Sequence, residues 1–196
     1  MAVARRRLAP EARRTEILEA AERLLRSGRS PVRVEDVVAE AGAGKGTFYA
    51  YFATWDDLLE ALRTKLIAGF DRAHALPVEI DRPVDWPETM AAMAEAFVDF
   101  TASMEGLHEI LFHGAFVLAR PLPRELSATV RIAAMIQAGQ EAGAFDTTLD
   151  PEPTARLVFA FIHEAADAVL AGEDRGRTMA AMKTLLDRAL APGGRS

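Results

Sequence analysis

The sequence predicts an all-α fold in two parts, a small N-terminal domain over residues 1–53 and a larger helical domain over 54–196. Apolar residues recur at helical spacing along the chain, and no segment shows the alternation of a half-buried strand. No internal repeat breaks this reading. Half of the 196 residues are hydrophobic, which is ample for a core, and there is no cysteine. A disulfide framework, thiolate chemistry and a cysteine-ligated metal are therefore excluded. No run of 18 apolar residues occurs, and no apolar segment of the right kind follows the Arg-rich N-terminus. The expectation is a soluble, cytoplasmic protein with no membrane contact and no cofactor.

Arg5-Arg6-Arg7 opens the chain, either as a solvated tail or as an arm toward polyanions. Pro10 suits the first turn of a helix that runs to Ser27, with Gly28 as its stop. Ile17, Ala21, Leu24 and Leu25 give that helix its apolar face. Val34, Val37, Val38 and Ala41 form the face of a short second helix. Gly42 takes the left-handed conformation that ends it, and Gly44 loosens the turn. From Lys45 a third helix begins, with Phe48 and Phe52 inward and Lys45, Thr47, Tyr49 and Tyr51 outward. A helix of eight residues is roughly 12 Å long, which matches a major groove about 12 Å wide.

Thr54 and Asp57 make a capping-box pair at the start of a fourth helix. Leu58, Leu59, Leu62 and Leu66 carry its apolar face. It runs over 54–75, out of the first domain and into the second. Pro77, Pro83 and Pro87 mark a linker or turn region, and Trp86 within its end starts a helix continuing to about Met104. Gly106 and Gly114 bracket one short helical segment. Pro121 and Pro123 begin another helix that ends near Gly143. Asp150 to Pro153 opens the next, to about Leu170, and Gly172 and Gly176 separate it from a last helix ending near Leu190. Residues 155–170 are apolar almost all round, so that helix must be buried on several faces. Met179, Met182, Leu185, Leu186, Ala189 and Leu190 form a broad stripe on the last. This pair suits either a monomer core or packing against a second copy.

Charge is unevenly shared. Residues 1–65 hold 12 Lys and Arg against 10 Asp and Glu, whereas residues 66–196 hold 11 against 19. The net −6 therefore hides a positive N-terminal end that suits a polyanionic partner.

Two enzymatic readings compete. Gly42-Ala43-Gly44-Lys45-Gly46-Thr47 looks like the end of a nucleotide-kinase phosphate loop. That pattern needs Gly six residues before the Lys and Ser or Thr just after it, and Ala39 and Gly46 stand there. It also needs a preceding strand, where Val34 to Ala41 has helical spacing. His108 and His113 suggest a metal hydrolase, but five residues is about 500° of turn, so the imidazoles diverge on a regular helix. His163 and Asp167 have ligand spacing without a third partner.

The run Ala41-Gly42-Ala43-Gly44-Lys45-Gly46-Thr47-Phe48-Tyr49-Ala50-Tyr51-Phe52, followed by Asp56-Asp57-Leu58-Leu59, resembles the helix-turn-helix domain of the TetR family of transcriptional regulators. Further on, only Ile136 to Phe145 and then Asp150-Pro151 resemble family members. The resemblance implies a homodimeric repressor, not an enzyme, released from a double-stranded DNA operator by a small-molecule effector. It implies DNA contacts from Arg33, Lys45, Gly46, Thr47, Tyr49 and Tyr51. It also implies a ligand pocket, for which Phe97, Phe100, Met104, Phe112, Phe116, Met135 and Phe159 are apolar candidates, with His113 and His163 to orient the ligand. Residues 153–170 and 176–190 would form the dimer interface, with Leu186 near its centre. Three positions depart from the family pattern. Val38 stands where a small Ala is usual, Gly44 where Ser is usual, and Trp55 where a phosphate-binding Lys is common.

Overall fold

The computed structural model describes residues 9–29, 31–74, 84–104, 106–123 and 126–193, and among them there is no strand. The helices are α1 (Pro10–Arg26), α2 (Val34–Glu40), α3 (Lys45–Tyr51), α4 (Trp55–Ala73), α5 (Trp86–Ser103), α6 (Gly106–Phe112), α7 (Gly114–Ala119), α8 (Ala128–Glu141), α9 (Pro151–Leu170) and α10 (Arg175–Leu190). Arg5-Arg6-Arg7 and the linker residues Pro77 and Pro83 lie outside the described residues. The helices group into two compact units. One is residues 1–67 with 104–121, and the other is residues 68–103 with 122–196. α4 is continuous through both, as Trp55–Ile67 in the first and Ala68–Ala73 in the second.

In the first unit the apolar faces meet as their spacing requires. Ile17, Leu24 and Leu25 of α1, Val37 and Val38 of α2, Phe48 of α3 and Leu58, Leu59, Leu62 and Leu66 of α4 are all buried. Pro10 occupies the first turn of α1, where its missing N–H costs nothing. Glu22 of α1 fastens α4 by accepting from Lys65 Nζ at 3.0 Å, and it also pairs with Arg26 of its own helix. Burial pushes the Glu22 carboxyl up, but Lys65 and Arg26 together outweigh this and hold it below the usual glutamate range.

Two short helices complete this unit: α6, the segment that Gly106 and Gly114 bracket, and α7 beyond it, which the spacing did not predict. α6 stops at Phe112 because His113 is extended (φ −128, ψ 171) and serves as N-cap to α7. Leu107 and Leu111 of α6 are fully buried.

The second unit packs around Met90, Ala94 and Val98 of α5, Ile132, Met135 and Ile136 of α8, Val158, Ile162 and Ala166 of α9, and Met179, Met182 and Leu186 of α10. α8 begins at Ala128 with Ser127 as its N-cap, later than Pro121 and Pro123 suggest. Asp150 caps α9, and Asp174 caps α10 by accepting from Arg177 N at 2.7 Å. Gly176 consequently lies inside α10 and not before it.

α2 and α8 end in the same way. Gly42 (φ 59) and Gly143 (φ 74) are left-handed, and the next residue donates back five positions, Ala43 N to Val38 O at 2.8 Å and Ala144 N to Gly139 O at 2.8 Å. This closure satisfies carbonyls that a helix end leaves open. In α8 it also folds Phe145 back onto the helix. A Cβ on Gly139 would stand 2.1 Å from the Phe145 ring.

Gly139→Ala should therefore destabilise the chain by the cost of overpacking, about 1–3 kcal/mol. Gly69 in α4 has no atom within 4 Å of an added Cβ, so Gly69→Ala should gain roughly 0.5–1 kcal/mol. Thermal melts should separate the two variants on opposite sides of wild type. Equal melting temperatures would mean that Phe145 has room to move. Glu22 gives a pH signature. Its folded value lies below its unfolded one, so its stabilisation is complete above the ordinary glutamate range and is lost as pH falls through the folded value. The melting-temperature gap between wild type and Glu22→Gln should shrink over that window.

Candidate nucleic-acid interface

The turn between α2 and α3 places the outward residues of α3. Gly44 is its N-cap in an extended conformation (φ −106, ψ 160), so its freedom is not used and the bend rests on Gly42 alone. Phe48 and Phe52 are buried with ring centroids 5.6 Å apart. They fix the rotation of α3, and the guanidinium of Arg14 covers Phe52 at 5.2 Å. The opposite side then carries Lys45, Gly46 and Tyr49 into solvent, with Thr47 and Tyr51 half-buried beside them. Tyr49 is 56% exposed and stands edge-on to Phe48. Gly46 faces open space. Arg33 is exposed as the N-cap of α2, its backbone N–H donating to Asp36 at 2.9 Å. The six residues thus fall on one helix-turn-helix of the first unit.

Lys45 is not a bare charge. It is ion-paired with Glu35 of α2. Their hydrogen bond holds the Glu35 carboxyl below, and the Lys45 ammonium above, their ordinary ranges. Sequence spacing did not reveal this pair, because the two residues sit on different helices. Arg23 of α1 pairs with Glu40 of α2 in the same manner, at 3.0 Å.

α4 starts beside this element. Thr54 N donates to Asp57 Oδ2 at 2.8 Å, and Asp57 N donates to Thr54 Oγ1 at 3.1 Å, which is the capping box expected from the sequence. Arg120, the C-cap of α7, spans Asp57 at 2.8 Å and Glu60 at 2.5 Å. Trp55 is half-buried at the first position of α4. The Lys45 loop follows helix α2 and no strand, so the phosphate-loop geometry is missing.

The nine ligand candidates do not fall in one unit. In the second, Phe97, Phe159 and His163 cluster, with ring centroids 5.5, 6.0 and 5.6 Å apart. Phe70 of α4 packs against Phe100 with centroids 4.9 Å apart and the rings tilted, and it meets Phe97 edge-on. Met135 is fully enclosed in the core there. His163 and Asp167 approach to 3.9 Å along α9. In the first unit Met104 is buried, His108 stacks on Phe112 at 5.6 Å, and His108 and His113 lie 4.8 Å apart. The two imidazoles meet, against the helical expectation, because the helix ends between them. Phe116 lies under the guanidinium of Arg63, 4.9 Å away. Arg63 was absent from the sequence reading. Its signal was a charge at a position shared with the buried Leu59 and Leu66 face of α4.

The family described as bacterial regulatory proteins, tetR family, matches residues 17–62. That segment holds most of α1, the helix-turn-helix and the first part of α4. An HTH-type transcriptional repressor of Streptomyces coelicolor is 28% identical over 167 residues, covering 82% of this chain and 80% of its own length. Among solved structures, a TetR-family transcriptional regulator from Pectobacterium atrosepticum superposes with a TM-score of 0.71 at 22% identity, over 97% of this chain and 100% of its own. RolR, in complex with the ligand resorcinol, gives 0.63 at 20% identity, over 93% and 89%.

If α3 meets duplex DNA, the phosphates must compete with Glu35 for Lys45. Lys45→Ala should weaken duplex binding and lower the salt slope by about 0.9, the loss of one phosphate contact. Glu35→Gln should tighten binding and steepen the slope. Fluorescence anisotropy at several salt concentrations reads both, and unchanged slopes in the two variants would place Lys45 off the DNA.

Proposed function

We infer that this chain, a DNA-binding transcriptional regulator of the TetR family, acts as a homodimeric repressor that a small-molecule effector releases from a pseudo-palindromic operator. The observation that carries the DNA role is α3, which buries Phe48 and Phe52 and thereby presents Lys45, Thr47, Tyr49 and Tyr51 together. In this reading residues 1–53 form the DNA-binding domain, and residues 54–196 take the effector and form the dimer. Thr47 and Tyr51 bond phosphates, which positions the domain without reading sequence. Tyr49 meets a thymine methyl. Lys45 reaches a phosphate or a guanine edge. Arg33 and the bare backbone at Gly46 complete the contact. No helix of the described residues is long and apolar enough to cross a membrane, and the regulator works in the cytoplasm, where its operator lies.

The effector role is supported by aromatic groups in both units and by the ligand-bound state of RolR, a protein of the same fold. An effector acts only by favouring one arrangement of the two recognition helices over the other. α4 is the natural carrier, since one continuous helix belongs to both units.

The dimer is supported by leucines that a single chain leaves in water. On α9 Leu157 is 72% exposed, and on α10 Leu185 is 52% exposed. A groove of about 620 Å³ between these helices is lined by Phe161, Ala165 and Leu185 together with Glu164, Asp174 and Arg177. Exposed apolar surface of this kind marks an interaction face. Leu186, central to the interface in the sequence reading, is 3% exposed and belongs to its own chain's core. The reason is register: Leu185 and Leu186 are neighbours on one helix, about 100° apart, so one faces in when the other faces out.

Selection of duplexes from a random library tests the function. A palindrome with half-sites about 34 Å apart, or a multiple of it, is expected. Failure to enrich any duplex would remove the regulator reading. Leu157→Glu and Leu185→Glu should each yield a folded monomer in sedimentation, with much weaker operator binding, because a charge buried unpaired in the interface is costly. A tight dimer in both variants would move the interface elsewhere.

A further inference from the structure

Arg63 is the largest buried side chain of the described residues, 1% exposed, on the first-unit part of α4. A buried charge is normally paired, because taking an ion out of water costs more than most contacts return. This one is not. Its guanidinium donates through one Nη to the carbonyl of Arg120 at 2.8 Å and lies over the ring of Phe116. Its Nε has no hydrogen-bond partner. The two nearest carboxylates on α4, Asp57 and Glu60, are both taken by Arg120. One cation is thus satisfied twice over, while its neighbour keeps only the through-space attraction of Glu60. Burial accordingly draws Arg63 below its usual range.

We propose that Arg63 is the anion anchor of the effector, and that the effector is a monocarboxylate with an apolar body. This rests on the reading of the chain as effector-responsive. A guanidinium fork matches a carboxylate with two parallel hydrogen bonds, and the vacant Nε with an adjacent Nη forms one such edge. The Phe116 ring is the apolar wall against which the rest of the molecule lies. A single buried cation balances one negative charge. Glu60 near it repels a second, so a phosphate dianion is disfavoured. The position also gives the anchor leverage. Arg63 reaches the carbonyl of the residue whose side chain clamps the first turn of α4. A carboxylate drawing Arg63 away from that carbonyl loosens the clamp on Asp57 and Glu60.

Calorimetry and thermal melts on the full chain test this with benzoate, phenylacetate and octanoate, each against its amide, and with inorganic phosphate. At least one carboxylate should bind and raise the melting temperature of wild type, and its amide should not. Arg63→Gln should weaken that carboxylate about 10- to 100-fold, the loss of a charge-assisted pair. Arg63→Met, free of ligand, should melt no lower than wild type, since it removes an uncompensated buried charge. The proposal is overturned if no carboxylate of the set binds, if Arg63→Gln binds it as well as wild type, or if phosphate protects equally. A melt of Arg63→Met several degrees below wild type, with acids and amides indistinguishable, would identify a structural arginine. Operator release is scored separately. Duplex binding and release without any carboxylate effect would sink the anchor and leave the regulator. Carboxylate binding by a chain that selects no duplex would do the reverse.

Discussion

The carboxylate of Asp57 sets where α4 begins, and much of the molecule is referred to that point. It accepts from the backbone N–H of Thr54 and from the side chain of Arg120. The first contact ends the loop after α3 and starts the helix. The second ties the helix to the far end of α7. Four residues later the apolar face of α4 is already fixed, because Leu58, Leu59 and Leu62 follow at helical spacing from a defined first turn. Shifting the start by one residue would rotate that face by about 100°. It would carry Arg63 out of the interior and a leucine into water. The same helix ends in the other unit, where Asp71 pairs with Arg131 and Phe70 packs against Phe100. A single cap therefore governs the phase of side chains in both units.

The helices and their ends were legible because short-range chemistry decides them. Pro10, Gly28, Gly42, Thr54 with Asp57, and Asp150 with Pro151 each act within a few residues, and each stands where the spacing placed it. The inward turn of Phe48 and Phe52 was equally legible, and with it the outward set on α3. Sequence reasoning failed where distant or competing partners decide. A break at His113 ends α6 and opens α7, a helix that was not expected, and it brings together imidazoles that an unbroken helix would separate. The prolines at 121 and 123 look like helix starts, but Ser127 takes that role. The partner of Lys45 lies on another helix, so no interval in the sequence announces Glu35. Arg63 was visible only as an anomaly, a cation on a leucine face. The stripe on α10 gave the right helix but not which leucine faces inward, since neighbouring Leu185 and Leu186 both fit a broad stripe.

The division of charge also takes on a physical form. The N-terminal end is only slightly positive, and several of its described cations are committed to anions of the same unit: Arg23 to Glu40, Arg26 and Lys65 to Glu22, Lys45 to Glu35. Such a surface attracts DNA weakly from a distance, because each pair is nearly neutral beyond a Debye length of about 8 Å. In the proposed DNA-bound state its attraction would appear at contact, with phosphates replacing carboxylates, and recognition would lean on shape and on the fixed groups of α3 more than on general electrostatic adhesion.

The exposed leucines of α9 and α10 have a further consequence. A side chain that leaves water only in the assembled protein makes folding and assembly share one free energy. Stability then depends on how many copies are present, through mass action. Under the proposed homodimeric repressor, abundance itself becomes an input. Chains that part at low copy number would vacate the operator whatever the effector does, and repression would acquire a threshold set by protein concentration.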